Sequence, residues 1–290
     1  MDRFLNFARR FARRTGLFGP AKSIYRGFFD SGGRVRRREL SDRYRQVIRP
    51  GTLVFDVGAD IGLYSEVFAS LGARVVAVEP LPENVRILEN CDYRDRIEIV
   101  QAAAGPSVGV ATFHKATVHT MGSLSSQWLD EASRSSRVKA MNVAWREDIE
   151  VATVTLDSLV ERFGEPDFVK IDVEGYEESV LRGLSVQPRC ISFEFNPEIL
   201  DVAHRCLHLR VFDPASECNY VVLESGEFAL PLWTDRETVM RHIRDSHVSA
   251  SGDIFVRRPQ TDVEPPPPDR MDSSQRPGPP ADSGRSGSEF

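Results

Sequence analysis

The 290-residue sequence contains no apolar run of about 18 residues, the length that a membrane-spanning helix requires. Its first residues, MDRFLNFARRFARR, also lack the unbroken apolar stretch of a secretory signal. The four cysteines are scattered and form no CxxC pair, so neither a disulfide framework nor a zinc site is expected. No internal repeat is visible. These absences favour a reduced, cytoplasmic protein.

Positive charge is concentrated at the start of the chain. Residues 1–49 hold 14 Lys and Arg against 4 Asp and Glu, whereas the whole chain has a net charge of −6. A helical projection places aromatic residues on one arc and arginines opposite them: Phe4, Phe7 and Phe11, and Arg9, Arg10, Arg13 and Arg14. Such a helix either lies on an anionic membrane surface, here through residues 1–18 at the inner membrane, or docks on the rest of the protein. No nucleic-acid partner is expected, because no known binding module accompanies the charge.

Composition divides the chain into three predicted parts. Residues 1–50 form a basic, partly helical extension, and residues 51–257 form a catalytic domain. Residues 258–290 are rich in Pro, Ser and Gly and have almost nothing apolar, so this tail is predicted to be disordered.

Short apolar runs alternate with amphipathic segments through the central part. The predicted strands are 52–57, 74–80, 96–102, 168–173 and 190–195, with later or edge strands at 110–115, 220–225 and 253–258. Helices are predicted at 63–72, 83–91 and 176–184. This alternation implies βαβ units and an α/β fold with a mostly parallel sheet covered by helices on both faces. Residues 116–148 fit the rhythm poorly and are predicted to be a long irregular insertion, either a binding loop or disorder.

The first candidate site is the stretch FDVGADIG, where a predicted strand meets a helix. Ligands of doubly wound folds bind at such strand ends, and Gly58 and Gly62 permit a tight turn. An ordinary strand-to-helix turn remains an alternative. Asp56 would repel a pyrophosphate but suits a ligand with an ammonium and a sulfonium group. Glu79, 23 residues on, can accept hydrogen bonds from a ribose diol. Together Asp56 and Glu79 point to S-adenosylmethionine in preference to a nicotinamide cofactor.

The second candidate site is the stretch FVKIDVEGYEESVLRGL. Strand alternation puts Lys170 and Asp172 on one face, and a buried charge needs such a partner. Asp172 is therefore either a purely ion-paired or capping carboxylate, or a group that acts on the cofactor or acceptor. Glu174, just before the turn at Gly175, is the next candidate after Asp172. Glu177 and Glu178 open the following helix and are interpreted as structural.

Both stretches, together with TLDSLV at 155–160, resemble the FkbM family of methyltransferases over roughly residues 50–256. The KIDVEGYE motif is specific, whereas FDVGADIG resembles class I methyltransferases in general. The resemblance implies a Rossmann-like class I methyltransferase fold with a seven-stranded, mostly parallel sheet. It also implies methyl transfer from S-adenosylmethionine, usually to a hydroxyl oxygen of a saccharide, glycolipid or secondary metabolite.

The resemblance assigns residues to roles by position. The cofactor-binding candidates are Asp56, Gly58, Ala59, Asp60, Gly62, Glu79, Pro80, Ala103 and Asp172. Asp60 stands where the family usually has Asn, and both residue types tolerate a left-handed backbone. The adenine contact stays open, because residues 101–105 lack the acid that many class I enzymes place there. The segment DVEG differs from an Asn/Asp-Pro-Pro-aromatic loop, which argues against methylation of a nucleobase amine.

Methyl transfer to a hydroxyl requires a positioned group that removes a proton. The catalytic candidates are Asp172, Glu174, Lys170 and His119, and the substrate-binding candidates are Ser123, Glu194 and Asn196. His119 is otherwise a solvated loop histidine. His204 and His208 share a helical face but are interpreted as surface residues, and no metal site is predicted. The rival hypotheses are a nicotinamide-dependent oxidoreductase and a non-catalytic scaffold on the same fold.

Overall fold

The computed structural model describes residues 30–222, 227–246 and 250–259. The amphipathic start at 1–18 and nearly all of the predicted tail at 258–290 lie outside these residues. Within the described ranges, none of the helices has both the length and the apolar composition needed to cross a bilayer.

Ten strands and nine α-helices lie in the described part of the chain. The strands are β1 Leu53–Val57, β2 Arg74–Val78, β3 Ile97–Val100, β4 Ala103–Ala104, β5 Gly109–Ala116, β6 Trp145–Val154, β7 Phe168–Ile171, β8 Cys190–Phe195, β9 Glu217–Val222 and β10 Gly252–Arg257. The helices are α1 Asp30–Tyr44, α2 Leu63–Ser70, α3 Pro82–Leu88, α4 Ser126–Arg134, α5 Ser136–Ala140, α6 Leu156–Phe163, α7 Glu177–Leu181, α8 Leu200–Leu207 and α9 Arg236–Asp245.

Seven strands form the main sheet, in the order β3-β2-β1-β7-β8-β10-β9. Within this sheet, β3, β2, β1, β7 and β8 run parallel to one another. β10 runs antiparallel to both of its neighbours, β8 and β9. The prediction of a mostly parallel seven-stranded sheet is therefore confirmed. The order departs from the 3-2-1-4-5-6 order of dinucleotide-binding folds, because β10 is inserted between β8 and β9.

A second sheet of three strands, in the order β4-β6-β5, stands apart from the first. The predicted strand 110–115 belongs here as β5. β6 was not predicted. Buried and more exposed residues alternate in the second half of its sequence, WREDIEVATV. The first half is largely exposed and charged, so the segment as a whole does not show the alternation that predicts a strand.

Helices cover both faces of the main sheet, as predicted. Strand alternation along β7 directs Phe168 and Lys170 to one face and Val169 and Ile171 to the other. The Phe168 side belongs to a hydrophobic cluster with α1, α2 and α3, and the Val169 side to a cluster with α6, α7, α8 and α9. All four β7 side chains are buried, which makes this strand the centre of the fold.

Residues 116–148 contain two α-helices, α4 and α5, and a short 3₁₀ helix, so the expectation of an irregular or disordered segment is wrong, whereas a binding role for it stays a prediction. Ser125 accepts the N–H of Trp128 and caps α4, and Ser135 accepts the N–H of Val138 and caps α5. Trp128 has no exposed surface, and its Cβ would lie only 2.7 Å from a Cβ built on Gly175. The insertion therefore packs directly on the turn after β7. The two serines were the sequence signal for its helices.

The described part of the N-terminal extension belongs to the hydrophobic core. Leu40 and Tyr44 of α1 have no exposed surface. The Tyr44 ring lies 4.8 Å from that of Phe68 and 5.7 Å from that of Phe168, measured between centroids. The core that covers this face of the sheet thus begins before residue 51.

Removing side-chain volume from α1 is expected to destabilise the whole fold. Leu40→Ala leaves a cavity in the cluster around Phe168, and such changes cost about 2–5 kcal/mol of unfolding free energy. Urea denaturation measures this loss. Arg38→Ala is the control, because the Arg38 side chain is 86% exposed. A loss as small as that of the control would show that α1 does not contribute to the stability of the fold.

Candidate active site

A cleft opens at the carboxyl ends of β1, β2 and β7. Small-molecule ligands of doubly wound folds bind at this edge of the sheet. Of the predicted site residues, the cleft is lined by Gly58, Asp60, Glu79, Pro80, Ala103, Asp172 and Glu174. Further lining residues, which were not predicted, include Leu81, Phe113, Leu124 and Tyr176. The fold thus joins both sequence motifs in one cavity.

The turn after β1 is built on left-handed backbone. Gly58 has a φ of 83°, Asp60 of 49° and Gly62 of 92°. A Cβ on Gly58 would lie 1.8 Å from the carbonyl oxygen of Asp172, so only glycine fits between the ends of β1 and β7. Asp60 adopts the left-handed conformation that its replacement of Asn was expected to tolerate. Ala59, beside it, is buried.

The Glu79 carboxylate organises this turn from the end of β2. It accepts the backbone N–H groups of Asp60 and Leu81, each at 2.9 Å, and the side-chain amide of Asn84 at 3.2 Å. Burial raises the pKa of Glu79 to about 7, although the hydrogen bonds from these three donors oppose the shift. A carboxylate has about four lone-pair sites, so room for about one further hydrogen bond remains. The sequence-based prediction envisaged two bonds to a ribose diol.

Asp56 lies beneath the cleft and does not line it. Its side chain is 1% exposed, and Ser65 donates a hydrogen bond of 2.5 Å to it. In the sheet it stands in register with Lys170. Burial raises the pKa of Asp56 to about 6, against the opposing effect of Lys170 and Ser65. Direct contact between Asp56 and a cofactor therefore stays a prediction, and the geometry gives Asp56 a supporting position.

Lys170 forms an ion pair with Asp172 at the centre of the sheet. The Nζ atom lies 2.7 Å from Oδ2 of Asp172 and 4.0 Å from the centroid of the Tyr64 ring. The Lys170 side chain is 1% exposed, whereas that of Asp172 is 30% exposed and lines the cleft. Burial disfavours the charge on Lys170, but Asp172 and Asp253 hold the pKa of the amine well above its usual range. The pair therefore fixes a carboxylate at the floor of the cleft.

Three carboxyl groups converge beside this pair. Oxygen atoms of Asp172, Glu174 and Glu194 lie within 4.8 Å of one another. Burial and mutual repulsion raise the pKa of Glu174 and that of Glu194 well above the usual range. Glu174 has a φ of 53°, so its backbone turns sharply at this point. The group can hydrogen-bond hydroxyls, and its oxygen chemistry also suits a hard divalent cation.

Donors border the carboxyl group on its β8 side. The side-chain amide of Asn196 donates from Nδ2 to Glu194 over 2.9 Å. A guanidinium nitrogen of Arg137 lies 3.5 Å from the side-chain oxygen Oδ1 of Asn196. Glu198 holds Arg137 through two hydrogen bonds, of 2.8 and 3.0 Å. Arg137 comes from α5 in the insertion. No local pattern in the sequence pointed to it, because its place beside β8 depends on the tertiary fold.

The insertion also contains the two remaining candidates, Ser123 and His119. Ser123 is 1% exposed, donates to the Glu174 carbonyl at 2.7 Å and accepts the N–H of Ser125 at 2.9 Å. This placement makes Ser123 a support for the Glu174 turn, and contact with an acceptor stays a prediction. His119 begins a short 3₁₀ helix, His119–Met121, but its side chain lies outside the described part of the structure. Its neighbour Thr120 lines the cleft.

An apolar patch occupies the side of the cleft below the second sheet. Leu81, Ala103 and Phe113 belong to one small hydrophobic cluster, and Leu124 packs against it. This is the region where the sequence left the adenine contact open. Phe113 is buried, whereas its neighbours on β5 are exposed or half-buried. The sequence shows the same contrast, because Phe113 stands between the polar residues Thr112 and His114. The patch offers an apolar surface that suits an aromatic ring.

Glu177 holds the turn after β7, in agreement with its structural interpretation. Its carboxylate accepts the N–H groups of Val173 at 3.2 Å and Gly175 at 3.1 Å. Burial raises its pKa to about 7, against the effect of these backbone donors. Glu178 is instead paired with Arg182 and Arg205 on the surface.

The buried carboxyl groups are expected to make stability fall as the pH rises. Burial raises the pKa of Asp56 to about 6, of Glu79 to about 7 and of Glu177 to about 7. Between ordinary values near 4 and these values, the native state binds more protons than the unfolded chain, so the free energy of unfolding decreases with pH. Groups with a lowered pKa, such as Glu178, lose their contribution below this window. Tm is therefore expected to fall between about pH 4 and pH 7.

Glu177→Gln tests this pH dependence, because it removes one titrating group and keeps its shape. The total decrease of the unfolding free energy across this pH window should become smaller, by on the order of 3 kcal/mol, because the pKa of Glu177 is raised from 4.5 to about 7. Glu165→Gln is the control, since the Glu165 side chain is 62% exposed. An identical slope in both variants would contradict the burial argument.

The chain is similar to known proteins in both sequence and fold. A family model, described as the methyltransferase FkbM domain, matches residues 56–222. No curated protein matches the chain. Among solved structures, a precorrin-6y C5,15-methyltransferase from Geobacter metallireducens is similar at 14% identity and a TM-score of 0.37, over 78% of this chain and 89% of that one.

Two further similar structures were solved as complexes with a bound ligand. An O-methyltransferase from Bacillus cereus in complex with SAH is similar at 13% identity and a TM-score of 0.37, over 79% of this chain and 81% of that one. Fibrillarin from Aeropyrum pernix with bound S-adenosyl-L-methionine is similar at 11% identity and a TM-score of 0.39, over 72% and 68%.

The family model covers more than half of the chain and both sequence motifs that meet in the cleft. Its range extends from Asp56, at the end of β1, to the last residue of β9. The chain therefore belongs to the FkbM methyltransferase domain family.

Proposed function

We propose that this protein is an S-adenosylmethionine-dependent O-methyltransferase that acts on a hydroxyl group of a saccharide, glycolipid or secondary metabolite. The observation that carries the proposal is the position of Asp172. Lys170 holds this carboxylate at 2.7 Å, at the floor of the cleft and beside two further carboxyl groups. A hydroxyl acceptor needs such a group to take its proton.

The residues around the cleft fit S-adenosylmethionine. Because Gly58 has no Cβ, the ends of β1 and β7 lie close together, and both Gly58 and Asp172 line the cleft. Glu79 retains acceptor capacity for a ribose hydroxyl, and the patch of Leu81, Ala103 and Phe113 suits a purine ring. The carboxylates favour a ligand with positive charge. When bound, this cofactor supplies an electrophilic methyl group.

The acceptor side of the site is polar and rich in both donors and acceptors. Asp172 is placed to accept the hydroxyl proton, since it alone among the three carboxyl groups forms a direct ion pair with a buried lysine in the described residues. Burial and mutual repulsion raise the pKa of Glu174 and that of Glu194, which favours hydrogen-bonded carboxyl groups at this place. With Asn196 they form a set that matches adjacent hydroxyls, and this supports a polyhydroxylated acceptor.

A cytoplasmic location also belongs to the proposal. The membrane contact through residues 1–18 stays a prediction, and binding to anionic vesicles at low salt tests it. The acceptor itself is best sought by incubating the protein and labelled cofactor with host glycan and metabolite extracts. Transfer of label to an amine only, and never to a hydroxyl, would overturn the O-methyl assignment.

Cofactor binding is expected to be specific for S-adenosylmethionine and its demethylated product. Calorimetry should detect both and should detect no NADH binding. Glu79→Gln removes a charged acceptor and should weaken cofactor binding by about 1.5–3 kcal/mol. Glu83→Gln is the matched control, because Glu83 is 44% exposed and pairs with Lys115. Binding of NADH alone would refute the assignment.

Asp172→Asn separates the possible roles of this residue. Loss of a positioned base should lower turnover by about 10²–10⁴, with cofactor affinity nearly unchanged. If Asp172 mainly binds the cofactor, affinity falls first and turnover recovers at saturation. If it only balances Lys170, Tm falls, since a buried lysine loses its partner. Normal affinity, turnover and Tm together would exclude Asp172 from the site and make Glu174 the next candidate.

A further inference from the structure

Two histidines and a glutamate meet on the surface, away from the residues that line the cleft. His204 lies in the last turn of α8 and His208 is the C-cap residue of this helix, with ring centroids 4.4 Å apart and planes inclined by 32°. Glu237 approaches from α9, and its Oε1 lies 2.8 Å from Nε2 of His208. The sequence contained the histidine pair but gave no indication of Glu237, because the contact joins two helices 29 residues apart.

The hydrogen bonds of His208 fix its tautomer. Its Nδ1 lies 2.7 Å from the backbone carbonyl of His204, which can only accept, so Nδ1 carries hydrogen. Nε2 then faces a carboxylate oxygen of Glu237, another acceptor. This contact is favourable when a proton or a bound cation bridges the two atoms. Metal-binding histidines commonly donate their other N–H to a carbonyl in this way.

The donor set is one that zinc accepts. One nitrogen or oxygen of each of the three residues lies within 4.8 Å of the others, so a small movement brings them around one ion. Zinc sites with two histidines and one carboxylate leave a fourth position for water. The side chains of His208 and Glu237 are 39% and 58% exposed, so an ion can enter. The adjacent arginines are engaged elsewhere, Arg205 with two carboxylates and Arg236 with two backbone carbonyls.

We propose that His204, His208 and Glu237 form a site for a divalent transition-metal ion, with zinc as the best match. Such an ion would fasten α8 to α9. α8 follows the strand that carries Glu194, and α9 precedes the strand that carries Asp253, so the ion would brace the half of the sheet beyond β7. This proposal is independent of the methyl-transfer reaction.

Zinc titration of the full, tag-free and metal-free chain tests the proposal. Calorimetry should show saturable binding of one zinc ion, and Tm should rise with zinc concentration, because the ion binds the folded state. His204→Ala and His208→Ala should each lower the affinity on the order of tenfold or more, since loss of a ligand costs at least as much as loss of its supporting contacts. All four cysteines are buried and do not compete for the ion.

His114→Gln is the matched control. His114 also lies 2.7 Å from a carboxylate, that of Asp148, but in a pair that contains one imidazole. Zinc affinity should be unchanged in this variant. The absence of saturable zinc binding would leave an imidazolium–glutamate ion pair and overturn the proposal. Binding that survives His208→Ala, or that disappears with Asp172→Asn, would place the ion elsewhere and refute it equally.

Discussion

The buried ammonium group of Lys170 is the constraint on which the central part of the structure depends. A charge in the middle of a sheet is costly unless it is paired, and here the partner lies two residues away, directly after the end of β7. Asp56 stands beside Lys170 in register on β1, and the Tyr64 ring faces its Nζ atom. The lysine thus ties the floor of the cleft to the helices that cover this face. Both the position of Asp172 and the polarity around it follow from this arrangement.

The remaining carboxyl groups extend this polar face toward the edge of the sheet. Glu194 on β8 lies in register with Asp253 on β10, and Arg43 of α1 lies 3.9 Å from Asp253. Burial raises the pKa of Glu194 and of Asp253, so this part of the sheet favours protonated or hydrogen-bonded carboxyls. Lys170 and Arg137 supply the opposing charge at its two ends. The site is therefore an electrostatic unit that spans several strands, in which a change at one carboxyl alters its neighbours.

Local patterns predicted the sheet, its central strand and the shared face of Lys170 and Asp172, because apolar runs and strand alternation act over a few residues. The left-handed turn at Asp60 was also predictable from residue type. The helices of residues 116–148 were not predicted, although Ser125 and Ser135 cap them, because their mixed charge obscures the apolar periodicity of a helix. The burial of Asp56 and the approach of Arg137 to Asn196 depend on contacts between distant segments. Spacing alone carries no information on such contacts.

The packing of α1 has a consequence for how this domain can be transferred or recombined. The family match begins at residue 56, yet Leu40 and Tyr44 of α1 are fully buried against Phe68 and Phe168. A chimera that joins the matched region to another protein at residue 56 would expose these aromatic rings to water. The unit of inheritance for this fold therefore starts at α1, and exchanges between relatives should keep that helix together with the sheet that it covers.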